Sequence, residues 1–240
     1  MFEVHVLTDP SQEDLLNNKI DEIRLQFPLL FSCKDMATLT STGVSKRQPM
    51  VSGFMSTDDK QVAINMANSV ASYLSKIMIA VTRIKVEQLI TLDATATQCA
   101  TATGEQYYEA HIKIGQIIPD SITYESLAMI CLKYGVQLLF NPYSHKLAPV
   151  TTMRMYDTDL FSFKEKHTAF MEELREADFV LLKQHLEYGV YDSNVYTDSG
   201  WLFLGKDYKT PITSVDCDAR LRIPKLLNVT HELEVEAEAL

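Results

Sequence analysis

The chain opens on strict alternation. Phe2, Val4 and Val6 fall on one side of an extended segment and Glu3 and His5 on the other, the period-two signature of a strand over 2–8. The spacing then becomes helical, with Leu15, Leu16, Ile20, Ile23 and Phe27 on one stripe. That predicts a helix over 11–27, capped by Asp9 or Ser11. A short apolar strand at 29–33, a loop around 34–46 and a strand at 50–56 are expected next. Asp58 or Asp59 caps a second helix running to Lys76, with Val62, Met66, Ser69, Val70, Tyr73 and Leu74 as its apolar stripe. A β-branched strand over 79–88 completes this half.

The same order of signals returns: strand 107–114, helix 121–134 with Gly135 at its C′ position, strands 136–140 and 150–157, helix 159–177 and a long strand 179–191. Pro49 falls on Pro149, Leu74 on Leu174, Arg83 on Lys183 and Glu87 on Glu187 at one constant offset, and Phe2 to Val6 falls on Tyr108 to Ile112 at a slightly larger one. An internal repeat fixes architecture. The repeated β-α-β-β-α-β order is the ferredoxin-like unit. The expected fold is therefore α/β of the α+β kind: two tandem ferredoxin-like units with antiparallel sheets. The first half spans 1–90. A Thr/Ala-rich surface linker spans 91–105, and the second half spans 106–191. An extension over 192–240, acidic at its end, is expected to pack on the second half through Trp201.

Helices cover one face of such a sheet, so the other face carries the chemistry. His5 and Glu3 recur as His111 and Glu109, joined by Lys113 on the same strand side, by Arg154 on the neighbouring strand and by Arg83, Lys85 and Lys183 on the last strands. If the two open faces meet, these groups line one polar cleft and must pair or meet a ligand, because unpaired buried charge is costly. Arg, Lys and His on that floor suit phosphate. His5 and His111 are the candidate acid–base pair. Glu109, Lys113, Arg154, Arg83, Lys85 and Lys183 are the candidate ligand-binding set. The alternative is an ordinary solvated sheet face with cross-strand ion pairs. His145, His167 and His185 read as surface or ion-paired residues.

Two fused lobes with a strand histidine in each half resemble the 2H phosphoesterase and RNA-ligase-like superfamily. That resemblance implies general acid–base work by His5 and His111 on a phosphodiester. Here the hydroxyl follows one residue late in His5-Val6-Leu7-Thr8, and Lys113 stands at the hydroxyl position of His111-Ile112-Lys113. Glu109-Ala110-His111-Ile112-Lys113 is also similar to the Glu-x-Glu-x-Lys strand of triphosphate-tunnel enzymes. The stretch Tyr191 to Asn194, with Asp198 to Trp201, is similar to the end of a group of uncharacterised proteins. Asp192 and Asn194 suit a turn after the long strand.

Composition narrows the remaining choices. Net charge is −10, which disfavours bulk nucleic-acid binding. A nucleotide or phosphorylated small molecule, or a protein partner, fits better. Four widely spaced cysteines exclude zinc-ribbon and Cys-x-x-Cys spacings. With no apolar run of membrane-spanning length, the expectation is an intracellular, cytoplasmic chain with no membrane contact. No Gly-x-Gly-x-x-Gly, P-loop or His-Glu-x-x-His motif is present, so neither a cofactor nor a resident metal is expected. A non-catalytic binding module and a structural or protein-interaction protein remain alternatives to an enzyme.

Overall fold

The computed structural model describes residues 1–27, 32–40, 45–91, 101–115, 117, 122–140 and 148–195. The first unit contains β1 (Phe2–Thr8), α1 (Glu13–Gln26), β2 (Ser32–Thr40), β3 (Ser45–Met55), α2 (Lys60–Lys76) and β4 (Val81–Ile90). The second contains β5 (Tyr107–Ile114), α3 (Ile122–Tyr134), β6 (Gln137–Phe140), β7 (Pro149–Tyr156), α4 (Leu160–Glu176) and β8 (Leu181–Asp192). Two ferredoxin-like α+β units with antiparallel sheets are thus present. Their sheets do not stay separate. β4 pairs with β8 and β2 with β6, closing all eight strands into one barrel in the order β1-β3-β2-β6-β7-β5-β8-β4.

The repeat reaches into local detail. Asp59 caps α2 by accepting from the Gln61 N–H at 2.8 Å, and Asp159 caps α4 by accepting from the Ser162 N–H at 2.8 Å. Each helix ends in the same way. Met78 and Asp178 take a left-handed conformation, and the next N–H, of Ile79 or Phe179, bonds back to Leu74 or Leu174 at 2.9 Å. This is the αL stop that satisfies orphan carbonyls at a helix end. Gly135 closes α3 as expected, with φ +65°.

The helices lie outside the barrel, and the core lies between them and the strands. Val4, Val6 and Val86 meet Ala63, Ala67, Val70 and Leu74 of α2. Tyr108, Ala110 and Ile112 meet Phe163, Phe170 and Leu174 of α4. Val70 and Leu74 of the expected stripe are buried, but Ala63 and Ala67 take the places expected for Val62 and Met66, and Val62 is exposed. Alanines at two of the contact positions let the helix axis approach the sheet closely, so small residues replace the larger apolar ones as the contact face. His167, expected to be at the surface or ion-paired, is instead buried on α4 among these groups.

A second correction concerns 34–46. Most of it is the β2–β3 hairpin, paired from Ser32↔Ser52 to Leu39↔Ser45. This arm carries β2 far enough to reach β6 at Leu39↔Phe140. Strand pairing and barrel closure, which leave no trace in local apolar alternation, make this segment extended. The end of the expected surface linker also packs: Ala102 is fully buried and its N–H bonds Thr158 at 2.9 Å. Residues 92–100, His145 and the extension beyond 195, with Asp198 and Trp201, lie outside the described residues. No described helix is long and apolar enough to cross a membrane.

Candidate functional site

Because the helices take one face of every strand, the alternate side chains point into the barrel. A cavity of about 410 Å³ runs through this lumen, within the range of small-molecule sites. Its wall includes Glu3, His5, Arg83, Lys85, Glu87, Glu109, His111, Arg154, Lys183, His185 and Glu187, with Leu7, Met50, Phe54 and Val150 as its apolar portions. Of the candidate ligand-binding residues, Lys113 alone stays out: it is exposed near the end of β5, opposite Lys183. The groups expected on two facing floors therefore share one cavity.

The lumen is built twice. On β1, His5 pairs across to Ser52, and its Nδ1 lies 2.9 Å from the Ser52 hydroxyl. On β5, His111 pairs across to Thr152, with Nδ1 2.9 Å from that hydroxyl. On the other flank, Glu3 pairs with Glu87 and Glu109 with Glu187. Each imidazole Nε2 then faces its two carboxylates, at 3.5 Å in the first half and 3.6 Å in the second. The hydroxyls of Ser52 and Thr152 hold the ring planes, which leaves Nε2 as the working nitrogen of both rings.

Symmetry breaks at the cations. Lys85 has His185 as its counterpart. Its ammonium lies 2.6 Å from Glu87 and donates to Glu109, across the boundary between halves, at 2.8 Å. Arg154 donates to Glu109 through Nε at 3.0 Å and stacks 4.1 Å from the Tyr107 ring centre. Arg83 makes a two-pronged pair with Asp192, its Nε donating at 2.8 Å, and the Tyr107 hydroxyl donates to the same carboxylate at 3.0 Å. Asp192 is thus an anchor for Arg83 and caps the following turn through the Asn194 N–H at 3.0 Å. Gly189 lies against the Tyr107 ring: a Cβ there would come within 2.7 Å of it.

These contacts set the proton affinities. Burial opposes charge on Glu109, but Arg154 and Lys85 hold its carboxyl well below the usual range. Burial likewise opposes the charge on Lys85, yet Glu109 and Glu87 raise it well above an ordinary lysine. Burial pushes Glu187 up to about 8, helped by Glu87 and opposed by His111 and Lys85. Burial would lower His111, but Glu109 and Glu187 outweigh it and hold the imidazole at about 9. One lumen thus carries a fully ionised carboxylate, a proton-retaining carboxyl and a proton-retaining imidazole, the separation of affinities that acid–base sites use.

Strand alternation placed Glu3 on the cleft with His5, whereas Ser52, Thr152, Tyr107, Glu87 and Glu187 were not among the candidate site residues. The constant offset that lays Glu87 on Glu187 also lays Ser52 on Thr152, and this was the signal available for them. Comparison with known proteins adds little. No family model matches the chain, and no curated protein does. Among solved structures, a protein provisionally described as a chlorite dismutase is similar at 10% identity, covering 79% of this chain and 95% of that one, with a TM-score of 0.28. A likeness of that strength carries no argument about activity.

Proposed function

We propose that the barrel lumen binds a small molecule carrying a positive charge or several hydrogen-bond donors, and that His5 and His111 exchange protons with it. The observation that carries this reading is the repeated set in one cavity: an imidazole steadied at Nδ1 by a hydroxyl and faced at Nε2 by two carboxylates. The apolar part of the ligand rests on Leu7, Met50, Phe54 and Val150. The polar part meets the carboxylates, where a donor group recovers the desolvation cost of buried acids.

A phosphate ligand, as the sequence resemblance implies, asks for cations whose charge is still available. Arg83 is clamped by Asp192, Arg154 by Glu109, and Lys85 by Glu87 and Glu109. At the first imidazole, Glu3 and Glu87 both face His5, and this pair of carboxylates favours an amine or amidine over a phosphate.

A thermal-shift panel of small aliphatic and aromatic amines, amidines, nucleotides and sugar phosphates, run in a chelator, tests this. Amines should raise the melting temperature as ligand exceeds its dissociation constant. The shift should vanish in the Glu3→Gln/Glu87→Gln double variant. Stabilisation by phosphorylated compounds alone, retained in that variant, would reverse the assignment.

A further inference from the structure

The second half of the lumen converges more tightly than the first. Donor atoms of Glu109, His111 and Glu187 all lie within 4.8 Å of one another, the one such His/Cys/Asp/Glu group among the described residues. His111 Nε2 stands 3.6 Å from each carboxylate. Donors bound at about 2.1 Å around a tetrahedral ion are separated by about 3.4 Å, close to the two 3.6 Å imidazole–carboxylate distances. Thr152 Oγ1, 2.9 Å from Nδ1, can accept a hydrogen bond from the Nδ1–H, so that Nε2, once an ion displaces its proton, faces the carboxylates as a ligand.

A separate observation calls for a cation. Glu187 is 4% exposed and faces the cavity, where the His111 Nε2 lies 3.6 Å from its carboxylate. The nearby Glu87 is buried, with Lys85 2.6 Å from one oxygen and His5 3.5 Å from the other. Glu3, Glu87, Glu109 and Glu187 line the lumen against the charges of Lys85 and Arg154, while Arg83 is held by Asp192 and Lys183 is exposed. Binding a divalent cation displaces the protons that Glu187 and His111 hold, so uptake releases protons.

We infer that Glu109, His111 and Glu187 bind one first-row divalent ion of the Mn²⁺, Fe²⁺ or Zn²⁺ class, leaving coordination positions open toward the cavity. One imidazole with two carboxylates is a donor set for those ions rather than for soft, thiolate-seeking metals. The inference deepens the lumen reading and rests on it. It also divides the labour of the two halves. His111 becomes a ligand, and His5, whose triad does not converge in this way, remains the proton-transfer group.

The full chain, stripped of metal, is titrated with Mn²⁺ followed by electron paramagnetic resonance and with Zn²⁺ followed by calorimetry. One ion per chain is expected. Glu187→Gln and His111→Ala should each weaken binding by about 100-fold, and Glu3→Gln by no more than about threefold. Absence of uptake below about 1 mM of either ion, or equal affinity in both ligand variants, overturns the site. If the variants fail to fold, zinc-edge X-ray absorption of the unaltered chain decides. One imidazole with oxygen donors supports the site, and sulfur or a second imidazole refutes it. Ion uptake is measured without any small molecule and the amine panel with chelator, so either reading can fail alone.

Discussion

Asp192 shows how one residue fixes an interior charge. Its carboxylate takes the Arg83 fork and the Tyr107 hydroxyl, and all three groups are buried. Removing one partner of a buried pair leaves the other charge without compensation, at about 3–5 kcal/mol. Asp192→Leu should therefore lower unfolding stability by that order in urea titrations. The Arg83→Met/Asp192→Leu double variant should recover most of it, because apolar replacements of buried pairs are often neutral. A double variant as unstable as the single one would show that Arg83 was not the source of the loss. Tyr107, beneath Arg154 and against Gly189, ties this pair to the Glu109 cluster, so a change at Asp192 should also be felt in the lumen.

At the level of the helix, α4 carries a titratable liability. His167 is buried, its ring stacked beside that of Phe163, and its Nε2 has no hydrogen-bond partner among the described residues. Burial, with a smaller push from Arg175, lowers this imidazole from 6.5 to about 4. Between those values the unfolded chain takes up a proton that the folded chain refuses, so stability falls as pH falls through that window. The loss is at most about 3 kcal/mol. His167→Leu should remove this contribution: the stability difference between variant and unaltered chain should widen in favour of the variant from pH 7 to pH 4.5. A constant difference would place the proton elsewhere. The helices also show what could be read in advance. The Asp59 cap, expected there or at Asp58, and the Gly135 stop are local chemistry, and were legible. The front of the α2 contact row was not, because two alanines rather than the larger Val62 and Met66 meet the sheet. The β2–β3 arm was not either, because its pairing with β6 joins residues about a hundred positions apart. The candidate site divides in the same way. His5, His111, Glu109 and Arg154 were visible through strand alternation, whereas Ser52, Thr152 and the Arg83–Asp192 pair depend on long-range register.

As a whole, the molecule is held closed by two unlike joints. β4–β8 is long and β2–β6 is only two residue pairs in register. A half taken alone would expose both joints as unpaired strand edges over a charged, open sheet face. Residues 101–195 expressed alone should consequently self-associate, β8 to β8 and β6 to β6, and sediment as a dimer that rebuilds a closed barrel. A stable monomeric half would mean that its edges are protected without a partner.

A barrel assembled from identical halves would offer any asymmetric guest two equivalent orientations and would place two ammonium groups in the same narrow interior. Here a single lysine, Lys85, reaches over the midline, and an imidazole stands in the place of its twin. The duplicated chain has given its interior a head and a tail, so a guest entering it has one preferred way to lie.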